Sequence, residues 1–168
     1  MLYLEPLLGG VWWTVGSLAF SAGLGTVVLA AGIGVTAGLV VTLRRRYGAG
    51  EPLPPGARSR LVRVVAITVV LIGILSSLLP LAGLGELAVP IACALVGIGL
   101  FPTASVLDGR VLIVAGSALL LLGATGALLA LDSAGRVYPQ GLVGLVAAAA
   151  VWACGAQRTG LLAEVRAR

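Results

Sequence analysis

The stretch that decides the fold is residues 6–46, which read PLLGGVWWTVGSLAFSAGLGTVVLAAGIGVTAGLVVTLRRR. Within this stretch no charged residue precedes Arg44, and the run then ends in three successive arginines. A transmembrane helix needs about 20 apolar residues, so this run is too long for one perpendicular span and short for two with a turn. We interpret residues 7–14 as interfacial, because Trp12 and Trp13 are of the type that prefers the headgroup level. A tilted span is then expected over residues 15–43.

The whole chain repeats this pattern of apolar runs bounded by charge. Its 168 residues are 60% hydrophobic and 10% charged, with a mean hydropathy of +1.14, whereas a soluble domain carries about 25% charged residues. We therefore predict an all-α fold, a polytopic transmembrane helical bundle that forms a single transmembrane domain over residues 1–168. Its five spans are predicted at residues 15–43, 64–82, 87–107, 111–131 and 138–156, with one basic cytoplasmic loop at 44–63.

The arginines predict the orientation. An N-terminus outside and a C-terminus in the cytoplasm put all of them except Arg136 on the cytoplasmic face, which satisfies the positive-inside rule. Membrane insertion alone accounts for that distribution, so we expect no nucleic-acid partner. The alternative is two short helices that meet around residues 21–25, which gives six spans and a cytoplasmic N-terminus.

The predicted spans contain few groups that support chemistry. The chain has no His, Lys or Asn, and no Asp, Glu or Arg lies at depth within a predicted span. Hydroxyls and two cysteines are the polar groups that remain there. A proton-coupled carrier normally needs a titratable group on its pathway, and a serine hydrolase needs a base beside its nucleophile. We therefore expect no enzymatic activity, no cofactor and no metal site.

Three sets of residues are candidates for binding or assembly. The basic loop is a candidate for contact with anionic lipid headgroups, although a topology signal explains the same residues. A stripe of small residues on the first span is a candidate for helix packing, and a proline with two nearby serines on the second span is a candidate kink that lines a small cavity. The three sets are, in that order, Arg44, Arg45, Arg46, Arg58, Arg60 and Arg63; Ser21, Gly25, Ala30, Gly34 and Gly38; and Ser76, Ser77 and Pro80.

Two functions from different classes follow from these features. The first is a non-catalytic accessory or helix-packing subunit of a complex in the cell membrane, with lipids and either other membrane subunits or further copies of the chain as partners. The alternative is a small carrier, flippase or channel for an apolar or lipidic solute, which would use the kink at Pro80 and the arginine-rich inner rim.

Overall fold

The computed structural model describes residues 3–48, 56–107, 109–132 and 138–160. Within those ranges the chain is helical, with no strand. Five of the helices are long and apolar enough to cross a membrane, which confirms the predicted all-α fold with five candidate spans. The helices are α1 (Leu4–Ser17), α2 (Ala22–Tyr47), α3 (Ala57–Leu81), α4 (Ala88–Leu107), α5 (Arg110–Asp132) and α6 (Tyr138–Arg158), and a 3-10 turn, Gly85–Leu87, precedes α4.

The first apolar run divides into two helices, which corrects the prediction of one span over residues 15–43. Helix α1 ends at Ser17, where the backbone tightens: the N–H groups of Ala19 and Phe20 donate to carbonyls only three residues back. Helix α2 then starts at Ala22, after the extended backbone of Ser21. At 1.5 Å per residue, α1 is about 21 Å long, shorter than the hydrocarbon core of about 30 Å.

Helix α1 packs between α2 and α6 through glycines. A Cβ atom on Gly9 would lie 2.3 Å from the indole of Trp152 in α6, and one on Gly144 would lie 2.7 Å from the backbone of Gly16. Towards α2, the indole Nε1 of Trp13 donates to the carbonyl of Val28 at 2.6 Å. The first helix therefore lies between the second and the last.

The remaining helices continue this arrangement into an arc. Helix α6 contacts α5 and α4, α4 packs closely along α5, and α3 packs mainly on α4. The core lies between α1, α4, α5 and α6, where Cys93, Leu119, Ala147 and Ala148 are fully buried. Helices α2 and α3 stand at the two ends of the arc and expose most of their apolar side chains. Lipid covers such surfaces in a bilayer, so the exposure is compatible with an integral membrane protein.

The first turn of α1 and the last turn of α6 lie at the same end of the bundle. Glu5 accepts a hydrogen bond from Arg158 Nη2 at 3.0 Å, and the hydroxyl of Tyr47, the last residue of α2, donates to the carbonyl of Thr159 at 3.0 Å. This arrangement agrees with the alternative of two helices that meet around residues 21–25, and the orientation in the membrane stays a prediction. The reason is that α1 is a separate helix antiparallel to α6, so that its first turn meets the last turn of α6.

The antiparallel order of the helices brings the arginines together. Helices α3 and α5 start at the end where α2, α4 and α6 finish, because each helix reverses the direction of the one before it. We call this the arginine end; every arginine in the described ranges lies there, namely Arg44, Arg45, Arg46, Arg58, Arg60, Arg63, Arg110 and Arg158. Arg136, Arg166 and Arg168, which also entered the orientation argument, lie outside the described residues.

Candidate functional site

The basic residues predicted to contact headgroups lie on helices rather than in a loop. Arg44, Arg45 and Arg46 form the last turns of α2, and Arg58, Arg60 and Arg63 belong to the first turns of α3. Positive charge near a helix C-terminus is favourable, which helps α2 continue through its three arginines. All six side chains are exposed. Contact with lipid headgroups stays a prediction.

The predicted small-residue stripe on α2 splits between two environments. Gly25 lies against the preceding turn, since a Cβ there would lie 3.0 Å from the carbonyl oxygen of Ser17. Gly34 and Gly38 face open space, with no atom within 4 Å of an added Cβ, and Ser21 and Ala30 are exposed. Helix α2 packs on α1 through a different face, which was not predicted from the sequence.

That inner side of α2 centres on Gly32 and Thr36. A Cβ on Gly32 would lie 1.9 Å from Cδ1 of Trp13, and Thr36 Oγ1 would lie 2.9 Å from a Cβ on Gly10. A signal for it was present, because Gly32 and Thr36 are spaced four residues apart, but the run is rich enough in small residues to offer several such pairs.

The predicted kink residues do not act together. Pro80 is the penultimate residue of α3, so it stands where the helix ends anyway. The Ser77 hydroxyl donates to the carbonyl of Gly73 at 2.8 Å, within its own helix. Of the three residues, Ser76 is the one that lines a cavity, and that cavity is far larger than a local kink would produce.

This cavity is an apolar groove of about 580 Å³ between α1, α3 and α4, which we call the lateral groove. It extends along α3 from Leu61 to Ser76, or about 22 Å at 1.5 Å per residue. The α4 residues between Ala88 and Thr103 form its floor, and the α1 residues between Leu4 and Val15 form the opposite wall. None of its lining residues is charged.

Trp12 is the most unusual polar residue of the lateral groove. Its side chain is 5% exposed, and its indole Nε1 has no hydrogen-bond partner among the residues that the structure describes. The other tryptophans are satisfied, because Trp13 donates to Val28 and Trp152 donates to the Pro6 carbonyl at 3.2 Å. A buried donor without an acceptor costs about 1–3 kcal/mol. This N–H is enclosed by the packed helices and is not accessible from the groove.

The tryptophans of residues 7–14 lie on a helix that packs against other helices. Trp12 belongs to the buried core, and Trp13 stacks on Trp152 with ring centroids 5.1 Å apart. Both contacts form because α1 is a regular helix packed on α6. Their apolar area contributes to helix packing, and a position at the headgroup level stays a prediction.

The ion pair between Glu5 and Arg158 closes the arginine end beside α1. The Glu5 side chain is nearly buried, whereas that of Arg158 is about a quarter exposed. Burial raises the pKa of the Glu5 carboxyl above its ordinary value, and the neighbouring Arg158 guanidinium opposes that rise. A charge pair of this kind positions α1 against α6 more than it stabilises the fold, because desolvation offsets the attraction.

The two cysteines are free and packed in the bundle. Cys93 is fully buried, with its Sγ 3.3 Å from the Leu119 carbonyl, and Cys154 is partly buried. The described ranges contain no group of three or more His, Cys, Asp or Glu side chains close enough together to hold a metal ion.

Comparison with protein-family models, with curated proteins and with solved structures finds no match to this chain. The class of protein therefore follows from the fold and the chemistry of its surfaces. The chain has the features of a multi-pass helical membrane protein: five apolar helices, exposed aliphatic faces and arginines gathered at one end.

Proposed function

We propose that the chain is a non-catalytic subunit of an assembly in the cytoplasmic membrane, and that α2 is its contact with the neighbouring subunit. The observation that carries this proposal is the outward face of α2, where Gly34 and Gly38 are open to the surroundings. Helix α2 packs mainly on α1. Only 6% of the residues in its most apolar segment are buried, against 44% in the corresponding segment of α6.

Small residues on an unpartnered membrane helix favour association with another helix. Lipid is as apolar as leucine, so helices associate in bilayers through close backbone approach, which glycine permits. An α2 helix that served only to face lipid would gain more contact from large side chains at these positions. The spacing of Gly34 and Gly38 suits a helix from a second copy or from another subunit.

The test is substitution of the exposed glycines by leucine, with the complex measured in nanodiscs. Gly34→Leu and Gly38→Leu should abolish the oligomer or the stoichiometric partner, while the fold of the chain is retained because open space receives the new side chains. Gly73→Leu is the matched control, since it makes the same change on α3 at a glycine with no atom within 4 Å of an added Cβ. A wild-type particle that contains one chain and nothing else would refute the proposal.

The proposed orientation puts the arginine end in the cytoplasm. Eight arginines lie at that end within the described ranges, and the positive-inside rule then places both the first turn of α1 and the last turn of α6 on the cytoplasmic side. In this arrangement the exposed arginines of α2 and α3 would meet anionic headgroups of the inner leaflet.

A second candidate function, a carrier for an apolar solute, is favoured by the lateral groove. The groove follows α3 for about 22 Å, most of the thickness of a hydrocarbon core. Flux across vesicles that contain the purified chain tests this function. A rate equal to that of empty vesicles for both lipids and small apolar solutes would exclude it.

A further inference from the structure

We propose that the arginine end contains a proton-sensitive latch, in which ionisation of Glu5 loosens three helix ends that side-chain hydrogen bonds otherwise hold together. One such bond joins each pair among α1, α2 and α6. We call these three bonds the latch, and its residues are Tyr3, Glu5, Tyr47, Gly48, Arg158 and Thr159. The latch is a property of the single chain, so it does not depend on the subunit role of α2.

The three bonds form a closed ring. The Tyr3 hydroxyl donates to the carbonyl of the residue after Tyr47, which joins α1 to α2. The Tyr47 hydroxyl donates to the carbonyl of Thr159 at 3.0 Å, which joins α2 to the end of α6. Arg158, which precedes Thr159, donates to Glu5 at 3.0 Å and returns the ring to α1. Because neighbouring residues make successive bonds, displacement of one helix end weakens the bonds of the other two.

A dry apolar contact lies beside the latch. Leu43 of α2, Pro6 of α1 and Trp152 of α6 surround a gap that is too small for a water molecule, and Thr159 borders the same gap. Leu43 is 2% exposed, although most apolar side chains of α2 are exposed, and Trp152 Nε1 donates to the Pro6 carbonyl. The last turns of α2 are therefore held where the latch and this contact meet, and an open latch would admit water there.

Glu5 is the member of the latch whose charge changes in the carboxyl range. Its side chain is 6% exposed, and it lies against Gly155, where an added Cβ would be 3.1 Å from Glu5 Cβ. A buried carboxylate loses its hydration, and one ion pair restores only part of that loss. Burial therefore raises the pKa of Glu5 although Arg158 opposes the rise. The neutral acid fits the closed latch better than the carboxylate does.

The charges that surround Glu5 do not explain its raised pKa. Arg158 on α6 and the amino group of the chain are positive, so both favour the carboxylate. The Cys154 thiol on α6 also interacts with Glu5, but a thiol ordinarily titrates well above the carboxyl range. On α2, Tyr47 donates to Thr159 rather than to Glu5. Burial is therefore the cause that makes the latch sensitive to protons.

The latch should open as pH rises. The closed latch binds the Glu5 proton more tightly than the open latch, so it loses stability from the ordinary carboxyl range up through the raised pKa. One proton is involved, so the ratio of open to closed latch should rise by at most about tenfold per pH unit in that window. Glu5→Gln is neutral at every pH and should stay closed throughout.

The experiment is hydrogen exchange of the full chain in nanodiscs at a series of pH values, with each rate corrected for the intrinsic exchange rate at that pH. In the wild type, the protection of residues 40–48 at the end of α2 should fall as pH rises, by up to about tenfold per pH unit. Glu5→Gln should remove this fall. Glu86→Gln is the matched control, because it removes a carboxylate at the opposite end of the bundle and should keep the wild-type response.

A second variant tests the ring itself. Tyr47→Phe removes the bond between α2 and α6, so it should lower the protection of residues 40–48 at every pH and leave the pH response of residues 4–8 in place. Wild-type protection at residues 40–48 that ignores pH, an equal response in Glu5→Gln, or an unchanged Tyr47→Phe protein would overturn the proposal. Protection equal to that of α4 and α5 at every pH would also overturn it, because the helix ends would then open only by global unfolding.

Discussion

Helices α4 and α5 approach each other closely enough that a single methyl group should drive them apart. Gly123 faces α4, and a Cβ atom there would lie 2.6 Å from both the backbone N of Ala94 and the carbonyl oxygen of Pro90. Both obstacles are backbone atoms, which cannot rotate away as a flexible side chain would. We therefore predict that Gly123→Ala destabilises the bundle.

The magnitude follows from the distance that the helices must yield. Ordinary contact for a Cβ begins near 3.4 Å, so the backbones must separate locally by about 0.8 Å. A gap of 0.5–1 Å loses a quarter to a half of the attraction of each affected atom pair, and the buried side chains of Cys93 and Leu119 lie in this interface. Overpacking of this kind costs about 1–3 kcal/mol.

The assay is thermal unfolding in detergent, with Gly73→Ala as the matched control. A loss of about 2 kcal/mol should lower the Tm of a chain of this size by about 4–8 °C. Gly73→Ala adds the same methyl group on α3, at a position with nothing within 4 Å and outside the proposed subunit contact, so its Tm should stay at or slightly above that of the wild type. A Gly123→Ala protein as stable as the control would refute the close approach of α4 and α5.

Three further predictions concern the arginine end and the core. Reporter fusions at the two chain termini should give the same side of the membrane, because Glu5 and Arg158 are paired; opposite sides would contradict the pairing of α1 with α6. The pKa of Glu5 is raised by burial, so the free energy of unfolding should fall as pH rises from the ordinary carboxyl range through the raised value, and Glu5→Gln should remove that slope. A membrane-permeant maleimide should label Cys154 faster than Cys93, which is fully buried; equal rates in folded protein would argue against the core described here.

Most of the fold was predictable from the lengths of the uncharged runs and from the positions of the charged residues between them. Three predicted spans agree with observed helices to within two residues at each end, because turn residues and charges mark both ends of each run. The predicted spans are 87–107, 111–131 and 138–156, and the helices are Ala88–Leu107, Arg110–Asp132 and Tyr138–Arg158. Helices α2 and α3 extend past their predicted spans, to Tyr47 and from Ala57, because arginine is a good helix former that reaches water from a helix end.

The sequence contains no comparable feature that predicts the break between α1 and α2. Residues 18–21 are apolar or small like their surroundings, so neither periodicity nor charge separates them from a continuous span. Without α1 as a separate helix, nothing in the sequence pairs Glu5 with Arg158, which lies 153 residues away. The lateral groove was likewise hidden, because it arises from three helices whose mutual placement depends on that break.

The lateral groove also shows which part of a cavity cannot be predicted from a single sequence. Thr68 and Ser76 were visible as hydroxyls at depth, and Trp12 was visible as an aromatic near the N-terminus. Their common cavity depends on α1 packing against α6 beside α4, which is a tertiary fact. The sequence therefore predicted which polar and aromatic side chains lie at depth, but not that they line the same cavity.

The pairing of the first helix with the last has a consequence for biosynthesis. Helix α1 ends at Ser17, and its main partner begins only at Tyr138. At about 5–20 residues per second, the ribosome needs about 6–24 s to make the intervening chain. A helix only about 21 Å long must wait that long in the membrane or the insertion machinery before its glycine face is covered. Early termination within α6 would leave α1 without its partner and expose the nascent protein to membrane proteases.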